Sequence, residues 1–141
     1  MSYSYHPSDV LELKQLHADT VAAATVNSAG FDVSMFEYVL FTLSMGDGDT
    51  ALACKIQESD TSGGTYTDVT GATRSFAATD DNKTGAIVVR CHGRKQFLRL
   101  NVVGTGGTSS VLVAVASLIG PNNTKALNAL PTATFLTGAL A

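Results

Sequence analysis

From Ser34 to Val113 apolar and polar residues alternate in about five stretches separated by Gly, Asp, Asn and Ser turns, the period-two pattern of half-buried strands. In the clearest, Phe36 to Met45, aromatic and branched residues dominate, and Val39, Phe41, Leu43 and Met45 share one face. This predicts a central strand. Gly46-Asp-Gly-Asp49 tolerates positive φ, and Ala51 to Glu58 follows with Leu52, Cys54 and Ile56 on one face, so the two stretches are expected to pair as a hairpin. After a turn cluster at Ser59 to Gly64, Thr65 to Val69 and Thr73 to Thr79 read as short polar strands broken at Gly71. Such strands belong at a sheet edge.

Asp80 to Gly85 marks the next reversal, and Ala86 to Cys91 resumes a buried pattern. Gly93 then turns the chain into Gln96 to Val103, which predicts a second hairpin. Beyond Gly104-Thr-Gly-Gly107, Val111, Val113 and Val115 alternate with Leu112, Ala114 and Ala116, so Ser109 to Ile119 is apolar on both sides. A strand of this kind must be covered on two faces, within the domain or by a partner. Thr20 to Val26 adds one more, giving about seven or eight strands at the spacing of an all-β fold, an antiparallel sandwich of jelly-roll type. No helical crossover pattern separates the strands, which argues against a parallel α/β fold.

The expected organisation is an N-terminal arm over residues 1–19, a sandwich over 20–120 and a C-terminal arm over 121–141. Ser8 to Asp19 is compatible with a short helix started by Ser8 or with an alternating strand, the extended or mixed form being preferred. The tail carries Leu127, Leu130, Phe135 and Leu136 with little charge, so it is expected to dock on a neighbour or on its own domain, for example by adding a strand to an open edge.

Composition narrows the function. At 45% hydrophobic and 15% charged the chain is too apolar for disorder, and lean enough in charge to favour association. A net charge of −3 gives no general pull toward nucleic acid or an acidic membrane. There is no run of about 18 apolar residues and no signal-like start, so production in a cytosol is expected. Cys54 and Cys91 lie in alternating apolar stretches and are expected as reduced packing residues, a disulfide between neighbouring strands being the alternative.

Catalytic signatures are missing from the sequence, and no enzyme activity, cofactor or metal is expected. Gly104 to Gly107 is not followed by a helix that could hold phosphate. The groups Asp47 with Asp49, and Asp60 with Asp80 and Asp81, lack the ligand series of a calcium loop and read as turn residues. His6, His17 and His92 are scattered, and adjacent Cys91 and His92 would face opposite sides of one strand. Arg90, His92, Arg94, Lys95 and Arg99 form a basic cluster around Gly93, either a solvated hairpin tip or a patch for acidic groups of a partner protein.

The segments Lys55-Ile-Gln-Glu-Ser-Asp, Gly63-Gly-Thr-Tyr-Thr-Asp-Val-Thr-Gly-Ala and Gly93-Arg-Lys-Gln-Phe-Leu-Arg-Leu-Asn-Val-Val, with the alternating Val111 to Ile119, resemble capsid cement or decoration proteins of tailed bacteriophages. The likeness spans about residues 36 to 119 and describes hairpins rather than a site. It implies a jelly-roll-like virion protein on the outside of an HK97-type shell that staples neighbouring capsomers. Its expected partners are the major capsid protein and further copies of itself, most simply as a homodimer, with no nucleic acid or membrane partner. Candidate contact residues are Tyr3, Tyr5, Leu11 and Leu13 in the first arm, Arg94 and Lys95 at the basic turn, and the four apolar residues of the tail. The competing expectation is a tail- or fibre-associated carbohydrate-binding sandwich, disfavoured because the chain has no Trp for stacking on sugar rings.

Overall fold

The computed structural model describes residues 10–120, which form nine β-strands. In chain order these are β1 (Val10–Ala22), β2 (Thr25–Asn27), β3 (Phe31–Asp32), β4 (Tyr38–Gly48), β5 (Ala51–Ser59), β6 (Thr67–Phe76), β7 (Lys83–Arg90), β8 (Phe97–Thr105) and β9 (Ser109–Ile119). One sheet has the order β1-β9-β4-β7; the other runs β2-β8-β5-β6, with β3 also paired to β8. Every pairing is antiparallel. The fold is an all-β sandwich, as the alternation predicts.

Alternation sets which side chains enter the core. Val39, Phe41, Leu43 and Met45 of β4 are buried, as are Leu112, Ala114, Ala116 and Leu118 of β9 opposite them. Facing them from the second sheet are Leu52, Cys54 and Ile56 of β5 and Leu98, Leu100 and Val102 of β8. The Phe31 and Phe41 rings meet in a tilted contact with centroids 6.0 Å apart. Each strand thus buries one row against the other sheet.

Pairing departs from the two expected hairpins. β4 pairs with β7 and β9, whereas β5 pairs with β6 and β8, so the chain changes sheets between Gly48 and Ala51. It changes sheets again between β7 and β8, through Gly93 at φ 78°, and between β8 and β9, through Gly106 and Gly107 at φ 72° and 62°. Turn residues of this kind permit a sheet-to-sheet corner as readily as a hairpin. Contacts far apart in sequence decide between them. Gly48 still pairs with Ser110, the Thr50 amide donates to Ser110 Oγ at 2.9 Å, and Ala51 already pairs with Thr105. The corner is therefore locked to the β8–β9 corner beside it. β5 and β6 do form a hairpin around the Ser59 to Gly64 cluster, and β6 lies at the sheet edge as its polarity suggests. The two short strands expected there are a single strand, interrupted by a register shift near Gly71, which sits at φ 81°.

The N-terminal boundary also moves. Residues 10–19, expected in an arm, belong to β1, which pairs with β9 from Val10↔Ile119 to Ala22↔Ser109. Pairing satisfies the backbone groups along one side of β9 and buries Val21 completely. The expected strand from Thr20 to Val26 is divided, its first part ending β1 and its last forming β2 in the opposite sheet, after a tight turn in which the Ala24 amide donates to the Ala22 carbonyl.

Candidate interaction surfaces

The outward side of the β1-β9-β4-β7 sheet is read from its register. Successive rungs place Thr20 beside Val111; Ala18, Val113, Ser44 and Thr84 together; then Gln15, Val115, Thr42 and Ala86; then Leu13, Ser117, Leu40 and Val88; and finally Ile119, Tyr38 and Arg90. Arg90, at one corner, is the sole charged side chain in these rungs. Leu13 is 59% exposed, Val88 63%, Val113 41% and Val111 39%. The Ser44 and Thr84 hydroxyls satisfy each other at 3.3 Å. Aliphatic and hydroxyl side chains spread over four strands make a smooth, nearly neutral surface able to exclude water from a partner but offering few groups for chemistry.

The inward side of β1 is different. Glu12, Lys14, His17 and Asp19 stand opposite Leu118, Ala116, Ala114 and Leu112, which places charged or ionisable groups on the core side of an edge strand. Glu12 and Lys14 pair at 2.8 Å, and a register shift between Gln15 and His17 interrupts the strand. Inward-pointing charge and a bulge are devices that stop an edge from accepting another strand. Addition of a strand along β1, one expected mode of docking, is thus opposed by its own side chains.

The basic cluster divides into two parts. Arg94 lies 3.6 Å from Glu58, whose other oxygen accepts from the Lys95 amide at 3.1 Å, and Lys95 Nζ lies 3.3 Å from Asp60. Arg99 donates to Gln57 Oε1 at 2.9 Å and stacks 4.1 Å above the Tyr66 ring. These three cations are answered by the chain itself. Arg90 and His92 remain beside Glu37 and Cys91 on a shallow cleft of about 550 Å³. Asp32 accepts from the amide of Ser34 and from Gln96, both of which line the cleft; burial pushes its pKa up, but these hydrogen bonds outweigh that and hold the carboxyl below its ordinary value.

The outward side of the second sheet is a polar lattice. Asp68 accepts from Gln57 at 2.8 Å and from Lys55 at 2.9 Å, and Asn101 donates to Asn27 at 2.7 Å. Tyr66 is fixed within it: its hydroxyl donates to the Ser62 carbonyl, it packs against Gly30 where any Cβ would collide, and Arg99 covers one face of the ring. A ring held in this way is engaged in the fold.

The aspartates flagged in the sequence act in turns. Asp49 accepts from the Thr108 and Ser109 amides at 2.7 and 3.1 Å, Asp80 from the Ala77 amide, Asp81 from the Gly48 amide, and Asp47 from Asn82. Among the described residues no cluster of three or more His, Cys, Asp or Glu could hold a metal. Burial pushes the thiols of Cys54 and Cys91 up to about 12, so both stay protonated at neutral pH.

Of the contact residues expected from sequence, Leu13 falls on the neutral face, while Arg94 and Lys95 fall at the cleft, at a different place on the body. Leu11 lies in β1; Tyr3, Tyr5, Leu127, Leu130, Phe135 and Leu136 lie outside the described residues. Sequence reading saw the outer face in Leu13 and in Val111, Val113 and Val115. Val88 was hidden inside the run Ala86-Ile-Val-Val, where apolar residues on both sides obscure which one points outward.

No family model matches the sequence, and a search of curated proteins returns no match. Among solved structures, the PBSX exported protein XepA is similar with a TM-score of 0.61 and 18% identity over 88% of this chain. The chain spans 42% of the length of XepA. Looser similarity extends to the SPBc2 prophage-derived protein YomS, with a TM-score of 0.48 and 16% identity over 75% of this chain and 92% of that one. A subunit of Bacillus endospore appendages gives 0.47 and 14%, over 77% and 88%. At these identities what is shared is the fold, and the XepA match carries it: this chain has a β-sandwich similar to that of XepA.

Proposed function

We propose that the chain is a structural virion protein that binds the outside of an HK97-type phage capsid and staples neighbouring capsomers. The observation that carries this reading is the smooth, nearly neutral face of the four-stranded sheet, a surface suited to protein contact. The resemblance of residues 36 to 119 to capsid decoration proteins supports the phage setting, and the sandwich fold shared with the PBSX exported protein XepA is compatible with it. Stapling requires no reaction. A modest contact repeated at every capsomer seam lowers the free energy of the closed shell in proportion to its copy number. The carbohydrate-binding alternative is less well supported, because Tyr66 is already engaged by Arg99, Ser62 and Gly30.

The test compares particles assembled with and without this chain. Particles lacking it should release DNA at lower temperature and under milder osmotic shock, and adding the purified chain to expanded shells should restore resistance. Purified virions that do not contain the chain would end the proposal.

A further inference from the structure

Three features compete as a docking site: the basic cleft, the free edges of the sheets, and the neutral outer face. The cleft has lost most of its charge to internal partners, since Glu58 and Asp60 already engage Arg94 and Lys95. Each edge is obstructed in its own way. β1 carries inward charge and a bulge, β6 breaks register near Gly71, and β2 is only three residues long. On β7 the Arg74 side chain from the other sheet packs over Gly85. This leaves the face.

Its dimensions and charge indicate what it meets. Four strands about 4.8 Å apart, overlapping along the 11 residues of β9 at about 3.3 Å per residue, span roughly 19 by 33 Å. That is about 600 Å² on one copy and about 1,200 Å² for a pair, where stable interfaces begin. An isologous contact brings a surface against itself, so any charge near its centre would meet its own kind. The central rungs here have none. Arg90 stands at a corner, and an antiparallel two-fold arrangement sends the two copies of it to opposite ends. Val88 and Val113 lie on strands flanking β4, and no described residue covers them.

We infer that this face is the homodimer interface: two copies pack their β1-β9-β4-β7 sheets back to back, with Val113, Val88 and Leu13 excluding water at the contact. The face thereby goes to a second copy, so in the capsid reading it joins two clips across a seam and the shell is gripped by surfaces outside the contact.

The full chain and two variants, Val113→Lys and Val88→Lys, test it by light-scattering mass across a dilution series. Both positions point outward, so each variant should keep the wild-type circular dichroism, and should melt like the wild type at concentrations where both are monomeric. The wild type should be a dimer at about 10 μM, and each lysine should weaken dimerisation by at least tenfold, because two unpaired ammonium groups would be buried per contact. Dimers of unchanged affinity in both folded variants would place the contact at an edge or in the flanking segments and overturn the inference. So would a wild-type chain that is monomeric at about 100 μM while Val113→Lys abolishes its capture on expanded shells, since the face would then belong to the shell protein. Wild-type dimers that fail to bind expanded shells would instead count against the capsid reading alone.

Discussion

Asp49 ties together two corners that are far apart in sequence. Its carboxylate accepts from the Thr108 and Ser109 amides while its own amide donates to the Ser109 carbonyl, so one residue holds the β4–β5 corner against the β8–β9 corner. Those two amides, Thr108 first, hold its pKa below the ordinary 3.8. A lowered folded-state pKa contributes stability above the ordinary carboxylate range, and that contribution is lost as pH falls through the folded value. Asp49→Ala should therefore melt at lower temperature than wild type at pH 7, with the gap closing as pH falls below the ordinary carboxylate value. Melting curves at several pH values check this; a gap independent of pH would assign the loss to something other than the carboxylate. The thiols give a second residue-scale expectation. In the folded chain Cys54 and Cys91 should react with a thiol reagent at pH 7.5 far more slowly than in denaturant, because burial keeps both protonated. Rapid native labelling at Cys54 would contradict its place in the core. At this scale the sequence was informative wherever alternation was strict, as in Val39 to Met45, since facing one way is a local property. It showed Asp49 only as a turn residue, because its partners lie near residue 108.

Elements are where local reading meets its limit. The strands from Phe36, Ala51, Ala86, Gln96 and Ser109 all exist, yet two of the expected hairpins are sheet-to-sheet corners. Gly-Asp and Gly-Arg turns look alike in either role, and the choice rests on non-local pairings such as Gly48↔Ser110. β1 was obscured for a related reason. Its core side carries Glu12, Lys14, His17 and Asp19, and a register shift next to Leu16 breaks its period, so an integral strand resembled a loose arm. The two sides of the first sheet should differ sharply in stability. Leu43→Ala, deleting a fully buried side chain, should cost about 2–5 kcal/mol. Leu13→Ala, on the exposed face, should stay within about 0.5 kcal/mol in the monomer. Urea denaturation at low protein concentration measures both; equal losses would mean that Leu13 is covered within the single chain.

For the molecule as a whole, the sandwich class was legible because it depends on many strands of similar period rather than on any single pairing. The contact surface was not, because its members become neighbours only through register: Leu13, Val113 and Val88 are scattered along the chain and share one face only after β9 inserts between β1 and β4. The pairing of Val10 with Ile119 has a mechanical consequence. Both flanking segments leave the body at the same end of one antiparallel pair, so tension applied through them would pull β1 from β9 one rung at a time, a peeling geometry in which few bonds resist at once. A fastener tethered by those segments alone would open like a zipper. Load crossing the broad neutral sheet would instead act on many contacts simultaneously.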